Sequence, residues 1–195
     1  MGGSRRFGGI TAEAAIFYGN IDNAIVAVRP AGFPANTSQR RNLGEAKYYG
    51  AELALNGTLG EALAFGINYS YIHRKFDITP EQSVSVPVFA LTDVPKHKGF
   101  AYASWAPVPA LHIVPSVEFA SDRTTLGSYV PAAPGTVRYY RTGSYVQANL
   151  RVDFDVTGNI SIGAGVRNAF DEDYQLADGF PEPGRRFFLT ARFTN

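Results

Sequence analysis

Tyr145-Val146-Gln147-Ala148-Asn149-Leu150-Arg151-Val152-Asp153-Phe154-Asp155-Val156 alternates without a break. Val146, Ala148, Leu150, Val152, Phe154 and Val156 make one apolar row, and Tyr145, Gln147, Asn149, Arg151, Asp153 and Asp155 make a polar one. Successive side chains of a strand point to opposite faces, so this period of two predicts a strand with one greasy side and one wet side. Thr157-Gly158-Asn159 then turns the chain into Ile160, Ile162, Ala164 and Val166, opposed by Ser161, Gly163, Gly165 and Arg167. Two such runs around a short polar turn read as a hairpin.

The same pattern recurs upstream. Tyr49, Ala51, Leu53 and Leu55 alternate with Gly50, Glu52, Ala54 and Asn56; after a turn, Leu63, Phe65, Ile67, Tyr69 and Tyr71 alternate with Ala64, Gly66, Asn68 and Ser70. A last run, from Arg186 to Phe193, puts Phe187, Leu189, Ala191 and Phe193 on one side and Thr190 and Arg192 on the other. Weaker runs at residues 10–20, 24–28, 99–106 and 111–120 bring the expected count to about nine strands, many near the length of a tilted strand crossing a bilayer. The connections are expected to alternate as well: short at residues 20–23, 57–62, 107–110 and 157–159, and long and Pro-rich at residues 30–42, 76–97, 121–142 and 171–184. Tight turns at one end and extended loops at the other are the habit of outer-membrane barrels.

Composition fits that reading. The 195 residues carry 18 Lys+Arg against 17 Asp+Glu, a net charge of +1, so there is no basic field to hold nucleic acid by counterion release. No cysteine is present, which excludes disulfides, thiolate metal sites and cysteine nucleophiles. No apolar stretch approaches the length of a membrane-spanning helix, and Met1-Gly2-Gly3-Ser4-Arg5-Arg6 lacks the apolar core of a signal peptide. A bilayer offers no hydrogen-bond partners, so a spanning sheet pairs every strand and turns its apolar side outward. The expected fold is all-β: part of an antiparallel transmembrane β-barrel. Periodicity alone equally fits a soluble β-sandwich or a lipocalin-like small-ligand binder, in which Leu53, Ile67, Leu150 and Val152 would be sealed inside. Aromatic residues at run ends, Tyr48, Tyr49, Tyr69, Tyr71, Trp105, Tyr139, Tyr140, Tyr145 and Tyr174, suit interfacial girdles.

The segment Asn168-Ala169-Phe170-Asp171-Glu172-Asp173-Tyr174, followed by Gly179-Phe180-Pro181-Glu182-Pro183-Gly184-Arg185-Arg186-Phe187, resembles the C-terminal signature of TonB-dependent outer-membrane receptors. Tyr49-Gly50-Ala51-Glu52-Leu53 and Asp93-Val94-Pro95-Lys96-His97-Lys98 are similar to two further stretches of that family, in the family's order. The motif positions carried by the resemblance are Asn168, Phe170, Asp171, Tyr174, Pro183, Gly184, Arg185 and Phe187. It implies a receptor in the outer membrane of a Gram-negative bacterium that takes up a scarce, large nutrient, most often a ferric siderophore, makes no bond and needs no cofactor. It also implies partners: outer-membrane lipid and lipopolysaccharide, the TonB complex acting through a plug domain and coupling box, and the barrel-assembly machinery reading the last strand. Family barrels have about 22 strands behind a plug. Residues 1–195 are therefore expected to be the C-terminal portion of such a barrel, without plug or signal peptide, and not transport-competent alone.

Within this frame Glu52, Asn68, Glu118, Arg151, Asp153, Arg167 and Arg192 are expected on the wet side, as hydrated lumen wall. Lys47, Arg74, Lys75, Lys96, Lys98, Arg138 and Arg141, near strand ends, suit headgroup or lipopolysaccharide contact and equally suit solvated loop charges. Arg138, Tyr139, Tyr140 and Arg141, with Phe180 in the last loop, form a candidate aromatic and basic mouth for an anionic chelate. His73, His97 and His112 show no metal-ligand spacing, no Gly-x-Ser-x-Gly elbow marks a hydrolase, and Gly163-Ala164-Gly165 lacks the third glycine of a dinucleotide fingerprint. No metal and no catalytic group are expected.

Overall fold

The computed structural model describes residues 1–28, 39–42, 44–77, 91–126 and 139–194. Among these the regular structure is all strand: β1 (Gly2–Phe7), β2 (Ile10–Asp22), β3 (Ile25–Val28), β4 (Gln39–Asn42), β5 (Glu45–Leu59), β6 (Leu63–Asp77), β7 (His97–Val108), β8 (Leu111–Ala120), β9 (Arg123–Leu126), β10 (Tyr139–Thr142), β11 (Tyr145–Thr157), β12 (Ile160–Arg167), β13 (Gln175–Ala177), β14 (Phe180–Pro181) and β15 (Arg186–Phe193). Nine form one antiparallel meander in the order β1-β2-β5-β6-β7-β8-β11-β12-β15. The other six pair as three small ribbons, β3 with β4, β9 with β10 and β13 with β14.

Strand number agrees with expectation, but membership does not. β1 belongs to the wall, opposing Ser4 to Glu13 and Phe7 to Ile10, although Gly2-Gly3-Ser4-Arg5-Arg6 carries no apolar alternation. Its strand state is imposed by the neighbour's unpaired backbone groups, which must find partners. Conversely, residues 24–28 are not a wall strand. The chain does not turn back at residues 20–23: β2 runs on to Asp22, opposite Glu45, and Asn23, at φ 55°, leads into the β3–β4 ribbon. Tight turns at residues 8–9, 60–62, 109–110 and 158–159 all lie at one end of the sheet. Long connections lie at the other, and the three ribbons project from them.

The soluble alternatives fail on packing. Among the described residues no second sheet covers the apolar row: Leu53 is 52% exposed, Ile67 44% and Leu150 40%, and the buried apolar side chains are Ala120 and Tyr145. Register carries one apolar face across the sheet, for instance Ala14 opposite Leu53, Leu53 opposite Tyr69, Tyr69 opposite Gly99 and Gly99 opposite Phe119. Two concavities lie over the polar side, one of about 670 Å³ beside Glu13, Glu52 and Asn68 and one of about 1410 Å³ beside Ser116, Asn149 and Arg151. The wet face is therefore the hollow one.

Two glycines shape that hollow. Tyr48 lays its ring across Gly19, and Tyr102 across Gly66, where a Cβ would collide with the ring. Aromatic cover over a bare backbone lets the wall curve without leaving the glycine's peptide groups open. Gly66→Val should eject the Tyr102 ring and cost about 1–3 kcal/mol of overpacking; unfolding in detergent micelles measures it, and an unchanged midpoint would show that the ring is not held there.

Candidate functional site

The period-two pattern puts all seven expected polar residues on one face. Asn68 stands opposite Ala54 and Phe100, Phe100 opposite Glu118, and Glu118 opposite Gln147. Glu52 opposes Ser70, which opposes Lys98. Arg151 opposes Val114 and Gly165, Asp153 opposes His112 and Gly163, Arg167 opposes Arg186, and Arg192 opposes Ser161. Lys98 and Arg74 thus sit on the wet side and not at a headgroup position, and Arg74 donates to the carbonyls of Thr92 at 3.1 Å and Val94 at 3.4 Å. Lys47 and Lys75 lie on the other face, each paired with an acid of its own strand, and the Lys96 amine sits 5.7 Å from the Tyr71 ring centroid.

Part of the wall's charge is paired. Arg151 Nε lies 2.7 Å from Asp153 Oδ2, and Ser161 donates to Asp155 at 2.7 Å. Above them runs a chain of side-chain hydrogen bonds. Tyr145, only 5% exposed, donates to Glu118 at 2.9 Å and stacks on Tyr174 with centroids 4.1 Å apart. Tyr174 donates to Gln147 at 3.0 Å, Gln147 to Asn149 at 3.3 Å, and Asn149 to Ser116 at 3.4 Å. Burial pushes the Tyr174 hydroxyl above its ordinary value; Glu182 and Glu118 add to this, while Arg186 and Arg123 oppose it. Tyr145 and Tyr174 are therefore part of the polar wall, not of a lipid-facing girdle; Tyr49, Tyr69, Tyr71 and Trp105 do lie on the apolar face.

The signature residues form a structural knot where β12 leaves the sheet. Asn168 is 1% exposed with φ 52°. Its amide nitrogen donates to the carbonyls of Glu172 at 2.8 Å and Pro183 at 3.5 Å, its side-chain oxygen accepts from the Glu172 N–H at 2.8 Å, and its own N–H reaches Asn149 at 3.0 Å. Asp171, at φ 59°, accepts from the Arg185 N–H at 2.7 Å. A Cβ on Gly184 would come within 2.6 Å of that carboxylate. Phe170 and Phe187 are exposed, at 80% and 78%. The motif thus ties the start of the last long connection to its end.

At the rim, Tyr139, Tyr140 and Arg141 belong to β10, and Arg141 pairs with Asp122. Phe180 opens β14 and is 68% exposed, and Tyr140 is 42% exposed. Arg138 lies outside the described residues. Ribbon β10 lies beside β13, so the structure brings two of the long connections together.

Residues 3–169 match the family model described as TonB dependent receptor-like, beta-barrel. The chain belongs to this TonB-dependent receptor family. The receptor chain is accordingly an outer-membrane β-barrel protein of a Gram-negative bacterium, from a family of receptors and not of enzymes. It is 25% identical over 191 residues to the iron-regulated outer membrane virulence protein of Vibrio cholerae, covering 93% of this chain and 28% of that protein. The fold matches the siderophore receptor PiuA from Acinetobacter baumannii with a TM-score of 0.72 at 18% identity, over 95% of this chain and 26% of that one. It also matches the ferripyoverdine receptor of Pseudomonas aeruginosa with a TM-score of 0.74 at 16% identity, over 95% of this chain and 25% of that one. The chain thus spans about a quarter of the length of these relatives.

Proposed function

We propose that this chain is a C-terminal portion of the barrel wall of a receptor that imports a scarce, large nutrient, in chemical terms a ferric siderophore, under TonB drive acting through a plug and coupling box. The observation that carries the reading is the polar, hollow face of a one-layer sheet whose other side carries an uncovered apolar row, with every long connection at one end. The names of the relatives, an iron-regulated outer-membrane protein and two siderophore receptors, point to the cargo. Rim residues Tyr139, Tyr140, Arg141 and Phe180, with Arg138, would meet the ligand first, and Glu52, Asn68, Glu118, Arg151, Asp153, Arg167 and Arg192 would line its way. Lipopolysaccharide would border the apolar face, and the assembly machinery would read β15.

Siderophore-dependent growth under iron limitation tests it. A receptor-deleted strain should recover when this chain is expressed within a receptor that also carries a plug and coupling box, should lose that recovery when TonB is deleted, and should not recover with residues 1–195 alone. Growth that persists without TonB would overturn the proposal. Orientation can be checked separately, because the chain has no cysteine of its own. Phe180→Cys should react with a membrane-impermeant maleimide on intact cells, and Asn159→Cys only after permeabilisation; the reverse pattern would invert the topology.

A further inference from the structure

The meander ends on β15, whose far edge has no strand beside it among the described residues. An uncovered edge is a row of free N–H and C=O groups, and in a bilayer a further strand must pair them. The polar side of this edge is cationic. Arg186 stands directly opposite Arg167, and Arg192 opposite Ser161. Among the described residues no carboxylate lies within ion-pair distance of these guanidinium groups; Arg167 is held instead over the Phe188 ring, 5.6 Å from its centroid. Two acids of β11 are engaged elsewhere, Asp153 by Arg151 and Asp155 by Ser161. The opposite edge of the sheet, β1, presents Gly2, Ser4 and Arg6 on its polar side, so it repeats the charge of β15 and does not complement it.

Like charges directly opposed weaken a ladder, and an opposite charge across from each strengthens it. On the β12 side those positions are already filled by Arg167 and Ser161, so relief lies on the open side. There backbone pairing fixes where the incoming side chains stand, and a carboxylate at those places needs no further ordering. We propose that the free edge of β15 is a docking surface for an antiparallel strand of acidic pattern, with Asp or Glu opposite Arg186 and Arg192 on the polar side. Its lipid-side residues, opposite Phe187, Leu189 and Ala191, are apolar, because Phe187 and Leu189 are 78% and 84% exposed beside that edge. The inference rests on the barrel-wall reading and adds to it the charge pattern of the neighbouring strand.

Strand addition to the full chain in detergent micelles tests this, read by fluorescence anisotropy above that of empty micelles. The probes are two labelled palindromic peptides, Glu-Leu-Thr-Val-Thr-Leu-Glu and Lys-Leu-Thr-Val-Thr-Leu-Lys, whose ends meet Arg186 and Arg192 when the central Val meets Leu189. The Glu peptide should bind about tenfold more tightly than the Lys peptide, and the gap should narrow as salt rises. Arg186→Glu combined with Arg192→Glu should invert the order, whereas Arg6→Glu, on the opposite edge, should leave it as it is. Equal affinities, an order that survives the double reversal or moves with Arg6→Glu, or no binding of either peptide would each overturn the assignment. If the doubly reversed chain does not fold, the order in the native chain and its indifference to Arg6→Glu still decide. The assay involves no uptake: its failure with iron-limited growth intact removes the edge assignment alone, and failed growth with the Glu preference intact removes the receptor reading alone.

Discussion

Leu53→Arg is expected to destabilise the inserted sheet by about 2–4 kcal/mol, the cost of a cationic side chain near the middle of a barrel's lipid face. Leu53 is 52% exposed and stands between Ala14 and Tyr69 in an unbroken apolar row, so in a bilayer its exposure is to acyl chains. Ala54→Arg is the control. Its position is one residue along the same strand but on the other face, opposite Glu13 and Asn68, where an arginine meets water and a carboxylate. Urea unfolding from lipid vesicles should separate the two variants by most of that range. Equal midpoints would show that the apolar face does not meet lipid, and the fold argument would fail with them.

Asn168→Ala is expected to cost about 2–4 kcal/mol and to loosen the last long connection. The substitution strands the Glu172 N–H and two carbonyls in a buried place, each loss worth about 1–3 kcal/mol, and it puts a Cβ without compensating side-chain bonds at a positive φ that asparagine tolerates better. Asn168→Gly should relieve the backbone strain while losing the bonds, and Asn168→Asp should keep the acceptor for Glu172 while losing the donors; both should fall between wild type and alanine. Thermal unfolding in micelles gives the order, and limited proteolysis between Asp171 and Gly184 reports the loosening. A silent Asn168→Ala would mean that the signature does not hold this turn.

Both predictions show how much of the molecule was legible beforehand. The face of Leu53 could be read because period two is a local property: once Leu53 is apolar and Glu52 and Ala54 belong to the opposing row, strand geometry does the rest. The seven expected polar residues follow by the same rule, and Arg186 could have been added, since it shares the parity of Thr190 and Arg192. What local pattern does not encode is whether a strand remains in the sheet. Ile25–Val28 is as apolar as any wall strand, yet it projects as a ribbon because its partner is β4 and not β5. β1 is the opposite case, a segment with no pattern that pairs because β2 offers it an edge. Nor does sequence show pairings between distant residues of one face: the Tyr145–Tyr174 stack joins positions far apart in the chain, and the rim residues stand out in the sequence only by type and loop position. The Asn168 motif was legible as a signature, but its work as a tie between the two ends of a long connection needed coordinates.

The nine-strand count has a consequence of parity. With seven strands between them, β1 and β15 run the same way, so bringing the two borders together, within one sheet or between copies inserted with the same vertical sense, would set like-directed ribbons side by side. An all-antiparallel cylinder needs an odd number of additional staves, the first and last pointing against both borders. Two copies of these nine strands inserted with the same vertical sense therefore offer no seamless antiparallel ring, whereas an odd-numbered complement of strands does.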